Sequence, residues 1–579
     1  MKTSILVGIL LSLLAARSPA VPPSKFQIPT NAKLSLRWDK PDYFLGETIA
    51  GHLVIENTGG PSIQFDSGGD YRGYRPWRFS VRCVDPDGNS TVDPDPHGFN
   101  MGGAWGPTSV ASGAKKELDF PLLRYCIIEK PGKYRITVSH DLGWWGGGEK
   151  PTATSELIFR APNREEADKV VTVMLDWIRL SGNRVYTTQV DFQALRNPAY
   201  LESLLRFAKD GSLDAVDGIA SIQTPEATKA LIELLQTTQG EQLDRVTDYL
   251  SKRVPLPEFP GSDRLSSPRG THIDAELEVR RVMMAWRPEF AQQLRTIVMK
   301  VRNPTSDSGT QLYWMQPRAP IMIAAVLQPE DAAFLTDQIT LSLTSNRHGD
   351  RPHGTLQWGA GARIWIARGM HVSDKPQTLG EKALFLTAFR DRPEFRSTAP
   401  LSKVVDLIDD RLPAISEMAM GALPTPAPAA AYGPIARSLK NGDPYAGTVA
   451  CQIVRRDKIE SLATAVAGAL HDAPNEWFLE SAASALLALD QRQQTAELLA
   501  ERIDSEDSEI RIAAFAKLVG LITGAPEWRY SNLDEIEAPG ISKQWLTFLK
   551  THSSEVAAGK KFKLSELADD QFLSYSRPR

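Results

Sequence analysis

The sequence predicts two kinds of structure in one chain, a β-sandwich followed by an α-solenoid. Between residues 34 and 138, apolar residues alternate with polar ones in short runs, and turn residues separate the runs. Between residues 443 and 520, three segments match one another at a constant spacing of 32 residues. Alternation is typical of half-buried strands, whereas a repeat of this length is typical of stacked helix pairs.

The first 20 residues match the pattern of a secretory signal peptide. A lysine at position 2 precedes an apolar run over 5–16, and Ser18 and Ala20 put small residues at the −3 and −1 positions of a cleavage site. The alternative is a membrane anchor, but the run is shorter than the roughly 20 apolar residues that span a bilayer. We therefore expect cleavage near Ala20 and a secreted or periplasmic protein that is not an integral membrane protein.

Residues 32–161 are predicted to form the β-sandwich. The alternating runs are Leu34, Leu36 and Trp38; Ile49, Leu53 and Ile55; Phe79, Val81 and Cys83; and Tyr134, Ile136 and Val138. Cys83 and Cys126 are able to form a disulfide if the protein is exported to an oxidising compartment. The alternative is that these two cysteines and Cys451 are three buried thiols.

Three short motifs carry a resemblance in this region. Tyr43-Phe-Leu-Gly-Glu47 precedes a strand, Ile55-Glu-Asn57 ends one, and Pro131-Gly-Lys-Tyr134 opens a late one. The region from about 32 to 160 resembles bacterial immunoglobulin-like modules. The resemblance implies a module for binding or spacing rather than for chemistry.

From residue 162 the apolar period becomes helical. We expect connecting helices over 162–209, an α-solenoid over 210–525, and a C-terminal cap and tail over 526–579. The three matching segments begin with Asp443, Asn475 and Asp507, residue types that are favoured at helix N-caps.

The third segment resembles a HEAT-like repeat through Asp507-x-x-Ile510-Arg511-x-x-Ala514-x-x-x-Leu518. The position of the arginine holds Gly447 and Leu479 in the other two segments, which puts a regular Asp–Arg ladder in doubt. The resemblance implies a protein-binding scaffold. Some HEAT-like relatives are bilin lyases or metal-dependent hydroxylases, but no histidine here is followed by the glutamate that such hydroxylases carry.

Composition and motifs favour a binding protein over an enzyme. A net charge of −4 argues against general nucleic-acid binding, which requires a basic surface. The sequence has no Gly-x-Ser-x-Gly elbow, no Gly-x-x-x-x-Gly-Lys loop and no paired Cys-x-x-Cys motif. We therefore predict no enzymatic activity and no cofactor, with a protein or peptide as the partner of the solenoid.

The candidate binding residues on the solenoid are Arg455, Arg456, Trp477 and Arg511. The first alternative function is binding of an envelope glycan by aromatic loops of the sandwich, through Trp105, Trp144 and Trp145. These aromatic residues would otherwise pack beneath the loops or against the first helices.

The second alternative function is a metal-dependent enzyme. His348, Asp350 and His353, with His371 further along, supply the ligand types of a metal site, although loop histidines at the surface explain them equally. Asp85, Asp87, Asn89, Asp93 and Asp95 are rich enough in oxygen to hold Ca²⁺, or they form an ordinary turn.

Overall fold

The chain has a β-rich region followed by a helix-rich region, which confirms the coarse order that the sequence predicts. The computed structural model describes residues 26–66, 78–94, 107–140, 142–145, 152–181, 191–257, 280–300, 319–344, 353–524 and 541–563. The predicted signal peptide, Trp105, His348 and Asp350 lie outside these residues. Across the described residues, no helix is both long and apolar enough to cross a membrane.

Two compact units make up the chain. The first comprises Met1–Pro255 and Asp263–Ala319, and the second comprises Leu256–Ser262 and Pro320–Arg579. The predicted end of the β-sandwich at residue 161 and the predicted end of the connecting helices at residue 209 therefore both fall inside the first unit.

The β-rich region belongs to the first unit. Its strands are β1 (Phe26–Gln27), β2 (Ala32–Trp38), β3 (Asp42–Phe44), β4 (Ala50–Asn57), β5 (Ile63–Asp66), β6 (Phe79–Val84), β7 (Pro107–Val110), β8 (Lys115–Pro121), β9 (Gly132–His140), β10 (Trp144–Trp145) and β11 (Thr152–Arg160). One sheet has the order β3-β11-β9-β6, with a parallel pair between β3 and β11, and a second antiparallel sheet has the order β2-β4-β8. Strands β5 and β7 pair antiparallel, and β1 pairs with β10 in parallel.

The two larger sheets share one hydrophobic core. Leu53 and Phe120 from the three-stranded sheet lie in the same buried cluster as Ile136 and Leu157 from the four-stranded sheet. Cys83 and Cys126 are in this cluster, and their Sγ atoms form a disulfide at 2.12 Å. The structure therefore contains the bridge that the sequence left open.

A buried asparagine joins three segments of the β-rich region. Asn57 is fully buried, and its Nδ2 donates to the carbonyl oxygens of Pro61 and Val110 at 3.0 Å each. Its Oδ1 accepts from Asn31 Nδ2 at 2.8 Å and from the backbone N–H of Gly59 at 3.1 Å. The asparagine at the end of β4 thus has a structural role in holding the neighbouring turns.

The first unit continues into helices α1 (Arg164–Ser181), α2 (Leu201–Lys209), α3 (Leu213–Ser221), α4 (Pro225–Leu234), α5 (Gly240–Arg253) and α6 (Pro288–Lys300). Buried Tyr200 donates its hydroxyl to the Leu45 carbonyl at 2.8 Å, which ties the start of α2 to the strands. Gly46 has a φ of +87°, and a Cβ there would lie 2.5 Å from the Ala194 carbonyl oxygen. The helices therefore pack directly on the β-rich region within this unit.

The second unit contains the remaining described helices. They are α7 (Ala319–Val326, whose first residue closes the first unit), α8 (Ala332–Thr344), α9 (His353–Ala367), α10 (Leu379–Asp391), α11 (Pro393–Thr398), α12 (Leu401–Asp406), α13 (Pro413–Gly421), α14 (Tyr432–Lys440), α15 (Pro444–Asp457), α16 (Ala463–His471), α17 (Glu476–Ala488), α18 (Arg492–Arg502), α19 (Ser508–Thr523), α20 (Ile541–Thr551) and α21 (Ser553–Ala557). Successive contacts join α8, α10, α13, α15, α17 and α19 in one row, and α14, α16, α18 and α20 in another. Helices thus pack on their second neighbours as well as on their first.

The three matching segments start helices as predicted. The Oδ1 atoms of Asp443, Asn475 and Asp507 accept from backbone N–H groups of the first helical turn, at 2.8, 2.9 and 3.2 Å for the third residue after each cap. The N-cap prediction is therefore confirmed for α15, α17 and α19.

The structure also explains the glycine at position 447, where the third segment has an arginine. A Cβ on Gly447 would lie 2.5 Å from the ring of Phe478, because α15 and α17 approach closely at this point. A side chain at residue 447 is incompatible with this packing, which accounts for one departure from the repeat pattern.

Candidate functional site

Trp477 in the first turn of α17 is the predicted binding residue that the structure places most clearly at the surface. Its side chain is 58% exposed, although tryptophan is a residue that proteins mostly bury. The next residue, Phe478, is buried between the helices. The helix therefore turns one aromatic ring into the core and the adjacent ring into solvent.

Three further carboxylates lie near Glu476, the residue that precedes this exposed ring. Burial raises the pKa of Glu476, and the negative charges of Glu509, Glu480 and Asp507 raise it further. The Trp477 side chain opposes this rise as a hydrogen-bond partner of Glu476. Glu480, Asp507 and Glu509 are therefore each close enough to Glu476 to repel its negative charge. We call Trp477 with Glu476, Glu480, Asp507 and Glu509 the acidic Trp477 surface.

The repeat spacing and the helix ends explain where this surface lies. Residues 445, 477 and 509 occupy equivalent positions in the first turns of α15, α17 and α19. Acidic side chains are favoured at helix N-termini because they complement the positive end of the helix dipole. That effect accounts for Glu476, Asp507 and Glu509, but not for Glu480 or for the exposed indole of Trp477.

Two of the predicted arginines lie away from the helix ends that carry Trp477 and its equivalents. Arg455 and Arg456 lie in the last turn of α15. A helix rises about 1.5 Å per residue, so these arginines are about 15 Å along α15 from Tyr445, the equivalent of Trp477. Arg456 pairs with Asp457 at 2.7 Å and donates to the Pro424 carbonyl at 3.2 Å. The side chain of Arg455 is exposed.

Arg511 lies in the first turn of α19, close in sequence to Asp507 and Glu509. Its Nη1 donates to the carbonyl oxygens of Ser505 and Glu506 at 2.9 Å each. Arg511 therefore holds the chain that enters α19, which is a structural role. Of the four predicted solenoid residues, Trp477 is the one with a large, exposed apolar side chain.

Of the three tryptophans predicted to bind a glycan, Trp105, Trp144 and Trp145, the structure describes the side chain of Trp144. Trp144 is 5% exposed, and its indole Nε1 donates to the Gln64 carbonyl at 2.8 Å. Burial leaves this ring almost no surface for a sugar, so packing, the other explanation, applies to Trp144. Trp145 pairs with Gln27 through the backbone, and its side chain lies outside the described residues.

The side chains of the predicted metal ligands His348, Asp350 and His353 lie outside the described residues. His353 begins α9. The backbone carbonyl of His371 accepts from Trp365 Nε1 at 3.2 Å. The structure therefore leaves the metal prediction for this loop as it stood.

The acidic segment that starts at Asp85 forms a hydrogen-bonded turn. Asp85 Oδ1 accepts from the backbone N–H groups of Asn89 at 2.8 Å and Asp87 at 3.0 Å. The hydrogen bond from Asn89 is the main cause that lowers the pKa of Asp85. Asp95 lies outside the described residues. Turn formation explains the described part of this segment without an ion.

One side-chain cluster with metal-ligand types is not evident from the sequence. Ligand atoms of His52, Glu117 and Asp119 all lie within 4.8 Å of one another on the outer face of β4 and β8. Arg37 binds both oxygens of Glu117, at 3.1 and 2.9 Å, so part of the negative charge is already balanced. The sequence signal for this cluster is the alternation of outward-facing residues along β4 and β8. Sequence alone does not give the register between the two strands, so it does not bring these three residues together.

The single free cysteine among the described residues is not a nucleophile at neutral pH. Cys451 is buried, and burial raises the pKa of its thiol to about 12. A thiol with such a pKa remains protonated near pH 7 and reacts slowly.

A scan against protein-family models found no match for this chain, and a search of curated proteins found none either.

Proposed function

We propose that this protein is an exported, non-enzymatic binding protein whose second unit recognises a basic protein segment through the acidic Trp477 surface. One observation carries the proposal, namely the 58% exposed indole of Trp477 beside Glu476, whose carboxyl group feels the charges of Glu480, Asp507 and Glu509. Exposed tryptophans are frequent contact residues at protein interfaces, and their ring faces attract lysine and arginine side chains.

The mechanism is non-covalent. Lysine or arginine side chains of the partner pair with Glu480 and Glu509, and an apolar side chain between them packs on the indole. Because Glu480, Asp507 and Glu509 repel the negative charge of Glu476, a cationic partner relieves this repulsion when it binds. Such a surface attracts its partner over a distance, so the association is faster at low ionic strength.

The finer fold assignments belong to the same proposal. Two rows of helices with a period of 32 residues support a HEAT-like α-solenoid for the second unit. Two sheets around one core support an immunoglobulin-like sandwich for the β-rich region. A solenoid offers an extended surface, which suits a partner that binds as a segment rather than as a compact ligand.

Export is supported by the disulfide between Cys83 and Cys126. Disulfides form and persist in oxidising compartments and are rare in the cytosol. The first 20 residues of the sequence, with their apolar run, agree with this location.

The test is a fluorescence anisotropy titration of the full chain with a labelled peptide of alternating lysine and leucine. A peptide of alternating glutamate and leucine is the control for charge. We expect the lysine peptide alone to bind, and Trp477→Ala to weaken it about 30-fold, which corresponds to the ~2 kcal/mol of an interface hot spot. Glu480→Gln should weaken binding about threefold and reduce its dependence on salt.

Two variants of the same unit control for unspecific effects. Leu341→Ala removes another exposed apolar side chain, which is 46% exposed on α8, and Glu501→Gln removes an exposed carboxylate on α18. Neither should change the affinity. Equal binding of the glutamate peptide, or an equal loss with Leu341→Ala, would contradict the proposal.

A further inference from the structure

A cavity in the first unit has the features of a binding site for a small ligand, and it is separate from the acidic Trp477 surface. Its volume is about 330 Å³, at the low end of the range for small-molecule sites. Leu45 and Ile128 from the β-rich region line it, together with Pro198 before α2 and Met284 before α6. These side chains give the cavity an apolar wall on several sides.

Two arginines and one glutamate supply its charged groups. Arg281 Nη2 lies 2.8 Å from Glu129 Oε1, and Arg196 Nη1 lies 3.8 Å from the same oxygen. Each arginine side chain is 27% exposed, so both are partly shielded from water. Two positive charges against one negative charge leave the lining with one net positive charge.

Gln223 adds a hydrogen-bond acceptor. Its Nε2 donates to the Ala220 carbonyl at 3.2 Å, which assigns the amide orientation because a carbonyl accepts only from a donor. The Oε1 atom is buried, and no donor among the described residues lies within hydrogen-bond distance of it. A buried acceptor of this kind destabilises the folded protein unless a donor reaches it.

We infer that this cavity binds a small carboxylate that carries an apolar body and one N–H or O–H donor, as in an N-acylated amino acid. The carboxylate of the ligand takes a place beside Arg281 and Arg196, where Glu129 now lies. The donor of the ligand satisfies Gln223, and the apolar body contacts Leu45, Ile128 and Met284.

Glu129 is then an internal competitor for the ligand. Its carboxylate occupies the arginine donors that an incoming carboxylate requires. Replacing Glu129 with glutamine removes the competing charge but keeps the size of the side chain. A purely structural ion pair predicts no gain of ligand affinity from this change, so the variant separates the two roles.

The experiment is isothermal titration calorimetry of the full chain with N-acetyl-leucine, which has the carboxylate, the N–H donor and an apolar side chain. N-acetyl-leucine amide tests the need for the carboxylate, and 4-methylpentanoic acid tests the need for the donor. We expect N-acetyl-leucine to bind at least tenfold more tightly than either analogue.

Variants locate the binding. Glu129→Gln should tighten N-acetyl-leucine binding about tenfold, and Arg281→Ala should weaken it at least tenfold. Gln223→Leu should abolish the preference for N-acetyl-leucine over 4-methylpentanoic acid. Arg287→Ala, an exposed arginine that pairs with Glu226 at 3.2 Å outside the cavity lining, is the matched control and should change nothing.

The inference is overturned if neither the native chain nor Glu129→Gln binds N-acetyl-leucine, or if the amide binds equally well. It is also overturned if Arg281→Ala and Arg287→Ala have the same effect. Melting curves of each variant show whether it is folded, and Glu129→Gln keeps the inference testable if Arg281→Ala does not fold. Because the cavity lies in the first unit, its failure would not affect the proposal for Trp477.

Discussion

The β-rich region and the helices of the second unit are held together by contacts of different range. In the β-rich region, the Cys83–Cys126 disulfide and the hydrogen bonds of Asn57 join segments that are distant in sequence. In the second unit, helices pack on near neighbours, and arginines donate to carbonyl oxygens at the ends of those neighbours. Arg368 Nη1, for example, donates to the carbonyls of Ala324 and Leu327 at 2.8 and 2.6 Å.

This difference predicts how each part responds to damage. A contact that closes a long loop constrains many residues of the unfolded chain, so its loss affects the whole β-rich region. A contact between neighbouring helices affects mainly the two helices that make it, because stability in stacked repeats is a sum of local terms.

Loss of the disulfide should have the largest effect. The bridge spans a sequence separation of 43 residues. The chain-entropy model gives about 4 kcal/mol for a loop of this length. The double variant Cys83→Ser, Cys126→Ser should lower the free energy of unfolding in the first calorimetric transition by that amount. The transition of the second unit should keep its temperature. A single transition in which both units lose stability together would contradict the difference proposed between the two regions.

Asn57→Ala should destabilise the β-rich region by about 3 kcal/mol, because it leaves buried backbone groups without their hydrogen bonds. The measurement is urea unfolding monitored by fluorescence. Asn31→Ala is the matched control, since Asn31 is partly exposed and water can replace its bonds. Equal losses for the two variants would mean that burial does not set the cost at this site.

Gly447→Ala should destabilise the second unit by about 2 kcal/mol, because its Cβ would lie 2.5 Å from the Phe478 ring. Gly468→Ala is the control on α16, where the new Cβ would meet nothing within 4 Å. That change should stabilise the helix by about 0.5–1 kcal/mol. If both variants destabilise, close packing of α15 on α17 is not the reason for the glycine.

Asp214→Asn should have a small effect that depends on pH. Burial raises the pKa of Asp214, and the negative charge of Asp217 raises it further. The folded protein therefore binds the proton of Asp214 more tightly than the unfolded chain does. Stability is lost as the pH rises from the unfolded pKa of about 3.9 through the raised folded value.

The variant should accordingly be more stable than the native chain at pH 7 and equal to it below pH ~3. Asp217→Asn is the control, and it should be less stable than the native chain at pH 7. Asp217 pairs with Arg245 and accepts from the Tyr249 hydroxyl at 2.8 Å, and the variant weakens both contacts. Thermal melting at the two pH values measures both variants.

Local patterns predicted much of the fold, since they depend on neighbouring residues. The alternation around Leu53 and Ile136 indicated strands, and the N-caps at Asp443, Asn475 and Asp507 were correct. The extent of the compact units was not predictable in this way. It depends on contacts such as Tyr200 to Leu45, which join residues 155 positions apart.

The candidate site was predicted only in part, for a similar reason. Trp477 was named as a candidate within the three matching segments, and the structure places its side chain at the surface. The arginines were named with it, yet Arg456 and Arg511 donate to carbonyl oxygens of their own surroundings. Asp507 and Glu509 come close to Glu476 of α17 because the helices stack. The spacing of 32 residues implies this stacking but does not give the orientation of one helix relative to the next.

The most direct test of the central claim locates a bound basic peptide on the full chain. Benzoylphenylalanine replaces Trp477 in one variant and Leu341 in another, and each is irradiated with the labelled lysine–leucine peptide before mass spectrometry. We predict a cross-link from position 477, lost when the glutamate–leucine peptide is used, and no cross-link from position 341. Equal cross-linking from both positions, or none from position 477 with saturating lysine–leucine peptide, would contradict recognition through the acidic Trp477 surface.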